Sequence, residues 1–295
     1  MDLMVIAGPT ACGKTSTGIA LAKKLNGEVI SGDSMQVYRH MDIGTAKVSL
    51  DEMQGVAHHL IDIIDPDEPF SAASFKQRAT ACIAEIQGRG KLPILVGGSG
   101  FYISALLGGI QFDETSTNLV YRNELCFLET QVLFQLLKEK DPVYARLNQT
   151  NKARLVRGLE YFHATGKKIS DYIEEQKKQP KAYHAQVFIL DLPREALYHR
   201  INQRVELMMG KGLVLEVEKL LQMGYNRNLT SLSSIGYKEI IAYLQDGLPL
   251  DQAVEAIKQN TRRFAKRQLT WFRNKTEGTW ITSDELLYRI NSQEL

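Results

Sequence analysis

Apolar residues along this chain follow two alternating periods. Short unbroken runs, Met4-Val5-Ile6-Ala7, Glu28-Val29-Ile30-Ser31, Leu92-Pro93-Ile94-Leu95-Val96 and Val187-Phe188-Ile189-Leu190, read as buried strands. His58-His59-Leu60-Ile61-Asp62-Ile63-Ile64 reads as a further strand, ended by the turn at Pro66. Between them, apolar positions recur every three or four residues. Residues 16–25 carry Ile19, Ala20, Leu21 and Ala22, and 70–87 carry Phe75, Ala79, Cys82, Ile83 and Ile86 on one side. Strands alternating with helices predict an α/β fold built on a parallel sheet.

From about Asp113 the strand signal stops until Gln186. Leu125, Leu128, Val132 and Leu136 repeat with helical period, as do Leu155, Val156, Leu159 and Phe162. This predicts an all-helical insertion, 113–185, between two core segments, 1–112 and 186–295. After the last core strand, a helix carries Leu197, Ile201, Val205 and Met208, and Gly210 and Gly212 interrupt it. A final helix over 251–273 is expected to bury Val254, Ile257, Phe264 and Leu269, with Trp271 and Phe272 packing at its end.

Composition and charge narrow the class. The 295 residues are 44% hydrophobic and 24% charged, which describes a globular chain with enough apolar material for a core. No apolar stretch is long enough to span a bilayer, and the N-terminus enters a strand without a basic leader. The three cysteines form no C-x-x-C pair, so neither a zinc site nor a disulfide framework is indicated. These features predict a cytoplasmic protein. No extended apolar stripe calls for a second copy, so a monomer is expected. The net charge of +2 is unevenly spread: Lys258, Arg262, Arg263, Lys266, Arg267, Arg273 and Lys275 occur with no acid among them. That imbalance points to a polyanionic partner.

The candidate chemistry is concentrated at strand ends. Gly8-Pro9-Thr10-Ala11-Cys12-Gly13-Lys14-Thr15 fits the G-x-x-x-x-G-K-[ST] phosphate loop, with a strand before it and a helix after it. Its backbone N–H groups, the helix dipole and Lys14 suit a diphosphate or triphosphate, and the Thr15 hydroxyl suits a magnesium ion on the same phosphates. Asp33 follows the second strand and should share that rim, as magnesium ligand, general base or turn cap. Gly97-Gly98-Ser99-Gly100 makes a second glycine turn there, with the Ser99 hydroxyl. Ile43-Gly44-Thr45-Ala46-Lys47 is a small-residue loop that either covers a ligand or turns the chain. Adjacent His58 and His59 point to opposite faces of a strand, which argues against a two-histidine metal site. Arg200 and Arg204, one helical turn apart, could reach a phosphate.

Together with the phosphate loop, six further segments resemble the tRNA dimethylallyltransferase family of bacterial type, across nearly the whole chain. They are Asp33-Ser34-Met35-Gln36-Val37-Tyr38, Met41-Asp42-Ile43-Gly44-Thr45-Ala46-Lys47, His58-His59-Leu60-Ile61-Asp62, Leu95-Val96-Gly97-Gly98-Ser99-Gly100-Phe101-Tyr102, Ile235-Gly236-Tyr237-Lys238-Glu239 and Thr261-Arg262-Arg263-Phe264-Ala265-Lys266-Arg267-Gln268-Leu269-Thr270-Trp271. The resemblance implies a P-loop NTPase-like core and transfer of a dimethylallyl group from dimethylallyl diphosphate to N6 of adenosine 37 in the tRNA anticodon loop. Diphosphate is released and Mg²⁺ is the cofactor. It assigns Asp33 as base, with Lys14 and Ser99 also catalytic. Donor contacts fall on Gly8, Thr10, Ala11, Cys12, Gly13, Lys14 and Thr15. Contacts to tRNA fall on Asp33, Ser34, Met35, Gln36, Ser99, Arg122, Ala153, Arg154, Leu155, Val156, Arg157, Ser233, Ser234, Ile235, Gly236, Tyr237 and Lys238. Ser99 stands where the family usually has threonine, and Cys12 where it usually has serine. The target adenine is expected to flip into a channel between core and insertion. A small-molecule or nucleotide kinase is the alternative, since the same loop binds ATP, although it leaves the basic segment without a purpose. A non-enzymatic RNA-binding module would leave Lys14 and Thr15 superfluous.

Overall fold

A computed structural model describes residues 2–108 and 118–292. The described residues contain six strands: β1 (Leu3–Ala7), β2 (Gly27–Ser31), β3 (His58–His59), β4 (Leu92–Gly97), β5 (Ala185–Leu190) and β6 (Thr279–Ile281). They form one sheet in the order β3-β2-β4-β1-β5-β6, and every neighbouring pair is parallel. β1 lies inside the sheet, and all five of its residues are buried. A strand covered on both faces has no use for polar alternation, which explains its unbroken apolar run.

The helices α1 (Lys14–Lys24), α2 (Leu50–Met53), α3 (Ala72–Gly88) and α4 (Gly100–Leu107) intervene between the early strands or follow β4. Five more, α5 (Leu119–Phe127), α6 (Thr130–Lys140), α7 (Pro142–Leu147), α8 (Lys152–Thr165) and α9 (Ile169–Lys177), come before β5. After β5 come α10 (Arg194–Gly210), α11 (Leu213–Gln222), α12 (Tyr237–Asp246) and α13 (Leu250–Lys275), and α14 (Ser283–Asn291) follows β6. This is the expected P-loop-type α/β architecture with helical elements. The chain divides into two units, Met1–Leu107 with Tyr183–Leu295, and Gly108–Ala182. The insertion start expected at 113 lies outside the described residues. In the second unit, Leu125, Leu133, Leu137, Ala145, Leu155, Val156 and Leu159 form the core.

Several details differ from the sequence reading. The expected strand over 58–64 stops after two residues, because Leu60 and Asp62 take positive φ values of 61° and 55° and turn the chain out of the sheet. Val132 and Leu136 are exposed while Leu133 and Leu137 are buried. A break at 128–129 separates α5 from α6 and shifts the helical phase by one residue. On α13 the buried residues are Ala253, Ile257, Ala265, Gln268 and Phe272, whereas Val254, Phe264 and Leu269 are half-buried. Nor is α13 the last helix. The three-residue β6 was too short to register as an apolar run, yet it and α14 complete the sheet and its cover.

Because all six strands are parallel, their carboxyl ends share one rim. The loops after β1, β2 and β4 therefore bring residues 8–15, 32–38 and 98–100 to the same side of the sheet.

Candidate active site

The phosphate loop leaves β1 and enters α1 through Gly13, whose φ of 97° favours glycine. Lys14 Nζ donates to the Pro9 carbonyl at 2.5 Å and lies 3.9 Å from the buried Cys12 sulfur. Arg204, on α10, donates to the Thr10 hydroxyl at 3.3 Å. The Arg200 guanidinium stands 4.0 Å from where a Cβ on Gly13 would sit. Two arginines one turn apart thus face the loop. Burial lowers Lys14 below its ordinary value, with Arg204 adding to the effect and Cys12 and Asp33 opposing it. Burial likewise lowers Arg204, against Asp33 and Cys12. Two partly desolvated cations beside a row of loop N–H groups favour an incoming polyanion.

Asp33 lies at the same rim, half-buried. Its Oδ1 accepts the N–H of Met35 at 2.8 Å, so the turn-capping role is real. Among the described residues Oδ2 has no hydrogen-bond partner, which leaves one carboxylate oxygen for chemistry. Ser99 Oγ accepts the N–H of Ser34 at 3.1 Å and keeps its own proton to donate. Gln268 of α13 spans the rim: its Oε1 accepts the Thr10 N–H at 2.8 Å, and its Nε2 donates to the Gly98 carbonyl at 3.0 Å. A Cβ on Gly98 would lie 2.3 Å from that Nε2, so glycine is what lets the bracket close. The arrangement offers a polyanion cradle, a partly free carboxylate and a hydroxyl on one wall.

A family profile described as IPP transferase matches residues 36–275. The chain belongs to the IPP transferase family. It is 47% identical to a tRNA dimethylallyltransferase of Lachnoclostridium phytofermentans over 288 residues, covering 96% of this chain and 92% of that one. The crystal structure of the full-length tRNA isopentenylpyrophosphate transferase of Bacillus halodurans is 44% identical, with a TM-score of 0.75 over 99% of this chain and 95% of that one. A eukaryotic dimethylallyltransferase, described as acting on tRNA, superposes with a TM-score of 0.85 at 30% identity, over 99% of this chain and 77% of that one.

This IPP transferase distributes its remaining candidate residues unevenly. Ser34, Met35 and Gln36 lie half-buried at the rim beside Asp33 and Ser99. Arg122, Ala153, Arg154 and Arg157 are exposed in the helical unit, and Glu160 Oε1 accepts from Arg122 at 3.5 Å. Leu155 and Val156, expected at tRNA, are instead buried in that unit's core, because they form the inward stripe of α8. Ser233 and Lys238 are exposed, and Ser234 and Ile235 are half-buried. Gly236 is buried, and so is Tyr237, whose hydroxyl donates to Glu216 Oε1 at 2.7 Å. Neither offers a side-chain surface for RNA.

The 41–47 loop turns out to be clamped. Lys47, almost wholly buried, donates to the Tyr38 carbonyl and to the carboxylates of Asp42 and Asp62 at 2.9, 2.6 and 2.5 Å. It is therefore spent on holding the chain. The sequence reading missed Gln268 and Glu216 as site-forming residues. Gln268 carried a readable signal: Ile257, Ala265 and Phe272 place it on the buried stripe of α13, where a lone amide calls for a partner.

Proposed function

We propose that this chain transfers a dimethylallyl group from dimethylallyl diphosphate to N6 of adenosine 37 in tRNA, releasing diphosphate. The observation that carries this reading is one rim holding both the Lys14–Arg204 cation pair and the half-committed Asp33 carboxylate, in a chain of the IPP transferase family. Gly8, Thr10, Ala11, Cys12, Gly13, Lys14 and Thr15 bind the donor diphosphate. Arg200 and Arg204 add to that cradle. The amine nitrogen attacks C1 of the dimethylallyl group, the C1–O bond breaks, and diphosphate departs with the electron pair. Lys14 and Arg204 stabilise the charge that develops on it. Asp33 takes the proton from the amine through its free oxygen, and Ser99 holds the base by a hydrogen bond. Ser34, Gln36, Arg122, Ala153, Arg154, Arg157, Ser233 and Lys238 contact the RNA.

A divalent cation, Mg²⁺ in this reading, suits the oxygen donors present. Among the described residues no group of three or more His, Cys, Asp or Glu side chains could hold a metal by itself. Thr15, exposed on the first turn of α1, would hold the ion through its hydroxyl alongside the diphosphate oxygens. Bound there, the ion would neutralise leaving-group charge. The chain works as a cytoplasmic monomer in this reading, and no helix among the described residues is long and apolar enough to cross a membrane.

Mass analysis of tRNA after incubation with dimethylallyl diphosphate tests the proposal. Adenosine 37 should gain one five-carbon unit. Label entering a small acceptor from the γ-phosphate of ATP, with tRNA unmodified, would favour the kinase reading instead.

A further inference from the structure

A single carboxylate organises the loop that follows the 33–38 segment. Glu216, on α11, accepts three consecutive backbone N–H groups: Asp42 at 2.8 Å and Ile43 at 2.7 Å on Oε2, and Gly44 at 3.0 Å on Oε1. Oε1 also accepts the Tyr237 hydroxyl at 2.7 Å. Successive N–H groups converging on one anion form a nest, and charge makes each of those bonds stronger than a neutral one. Tyr237 also backs the loop sterically, since a Cβ on Gly44 would lie 2.4 Å from its ring. Two otherwise separate segments, 41–47 and 235–239, therefore meet at Glu216.

The clamped loop reaches the rim by two routes. Lys47 donates to the Tyr38 carbonyl at 2.9 Å. Gln36 Nε2 donates to the carbonyls of Thr45 and Ala46 at 3.5 and 3.4 Å, and Gln36 Oε1 accepts from Ser31 Oγ at 3.0 Å. Ser31 Oγ in turn accepts the Asp33 N–H at 3.4 Å. Asp33 hangs from a strand end whose far side is anchored through Gln36 and the 42–46 loop to one residue of α11.

We infer that Glu216 is a positioning residue for prenyl transfer: by clamping the 42–44 backbone it fixes Gln36 and, through it, the carboxylate of Asp33 against the phosphate loop. The inference rests on the proposed reaction with Asp33 as base. It differs from a plain packing role, because a positioning residue acts through Asp33 and loses its effect once that carboxylate is gone.

A double-mutant cycle on the full-length chain, with tRNA and dimethylallyl diphosphate, separates the two. Glu216→Ala should lower kcat by roughly tenfold or more, as small misplacements of a reacting group do, with KM for the donor within about twofold. In an Asp33→Ala background the same substitution should change kcat by less than about twofold. Glu216→Gln, which keeps one acceptor oxygen, should recover part of the loss. If Glu216→Ala does not fold, Tyr237→Phe, which deletes one of the four bonds, should give a smaller drop that also vanishes in the Asp33→Ala background. Unchanged kcat, or equal losses in both backgrounds, would overturn the inference while leaving the reaction intact. Failure of the wild-type chain to prenylate tRNA would instead defeat the reaction it rests on.

Discussion

At the scale of single residues, the candidate site is a division of labour within each side chain. Asp33 uses one oxygen to cap the turn at Met35 and keeps the other uncommitted. In the proposed reaction one carboxylate then serves structure and chemistry at once. Asp33→Ala should therefore cost on both counts, but unequally. The lost cap costs about 1 kcal/mol of local stability, while loss of the base slows transfer by ~10²-fold or more. Steady-state kinetics beside a tRNA-binding titration checks this, with affinity expected to stay close to wild type. A variant that turns over normally would remove Asp33 from the mechanism. The phosphate loop was legible because its chemistry resides in consecutive residues. The turn cap on Asp33 was legible too, because Met35 lies two residues on, whereas the pairing of Ser99 with Ser34 and of Thr10 with Gln268 was not, since those groups become neighbours only when the loops and α13 meet at a rim.

At the scale of elements, the charge pattern marks α13 as a basic helix with a packed underside, and the fold adds a buried amide, Gln268, that braces the phosphate loop. Gln268→Leu keeps the volume but removes an acceptor from the Thr10 N–H and a donor from the Gly98 carbonyl. Leaving those two groups unpaired should destabilise the fold by about 1–3 kcal/mol each. It should also raise KM for the donor more than KM for tRNA, because the phosphate loop loses its brace. Thermal unfolding and kinetics with each substrate varied in turn would show this. A second element-level bond lies at the opposite end of the sheet. Glu28, buried at the start of β2, binds His59, Arg89 and Lys91 at 2.7, 2.7 and 3.0 Å. Burial alone would raise its pKa, but bonds from Arg89, His59 and Lys91 outweigh that and hold it at about 2. A depressed carboxylate stabilises the fold above its unfolded pKa of 4.5, and that contribution disappears as pH falls toward 2. Glu28→Gln should accordingly flatten the acid limb of a stability curve between those values and lower stability near neutrality. An unchanged acid limb would show that the cluster contributes nothing. Nothing in the run Glu28-Val29-Ile30-Ser31 signals this, because all three partners come from other segments.

At the scale of the whole molecule, charge is the property that local reading captured and packing then revised. Of the seven cations on α13, Lys258 is paired with Glu206 and Arg262 with Glu255, so part of the apparent excess is internal. Among the described residues, Arg263, Lys266, Arg267, Arg273 and Lys275 are exposed with no ion-pair partner. The helical unit adds Arg146, Lys152, Arg154, Arg157, Lys167 and Lys168, all exposed. Sequence counting found the α13 group, because charge survives without knowledge of the fold. It could not tell which cations are spent on acids from other helices. The helical unit supplies the sharper test, since Arg154 and Arg157 sit one turn apart on the outer face of α8, clear of its buried Leu155, Val156 and Leu159 stripe. Each arginine neutralising a phosphate releases counterions and steepens the fall of affinity with salt by roughly one logarithmic unit. Arg154→Glu and Arg157→Glu should each weaken tRNA binding about tenfold at moderate salt and make the plot of log affinity against log salt shallower. Arg157→Glu leaves the core of the unit untouched, so its melting temperature should stay within a few degrees, whereas Arg154→Glu also removes the bond from Arg154 Nη1 to Oδ1 of the buried Asn148 at 3.0 Å and should melt lower; KM for the donor should move in neither. Binding titrations at several salt concentrations decide the matter: if affinity and slope both match wild type, Arg154 and Arg157 do not touch RNA phosphates and other exposed cations carry the polyanion.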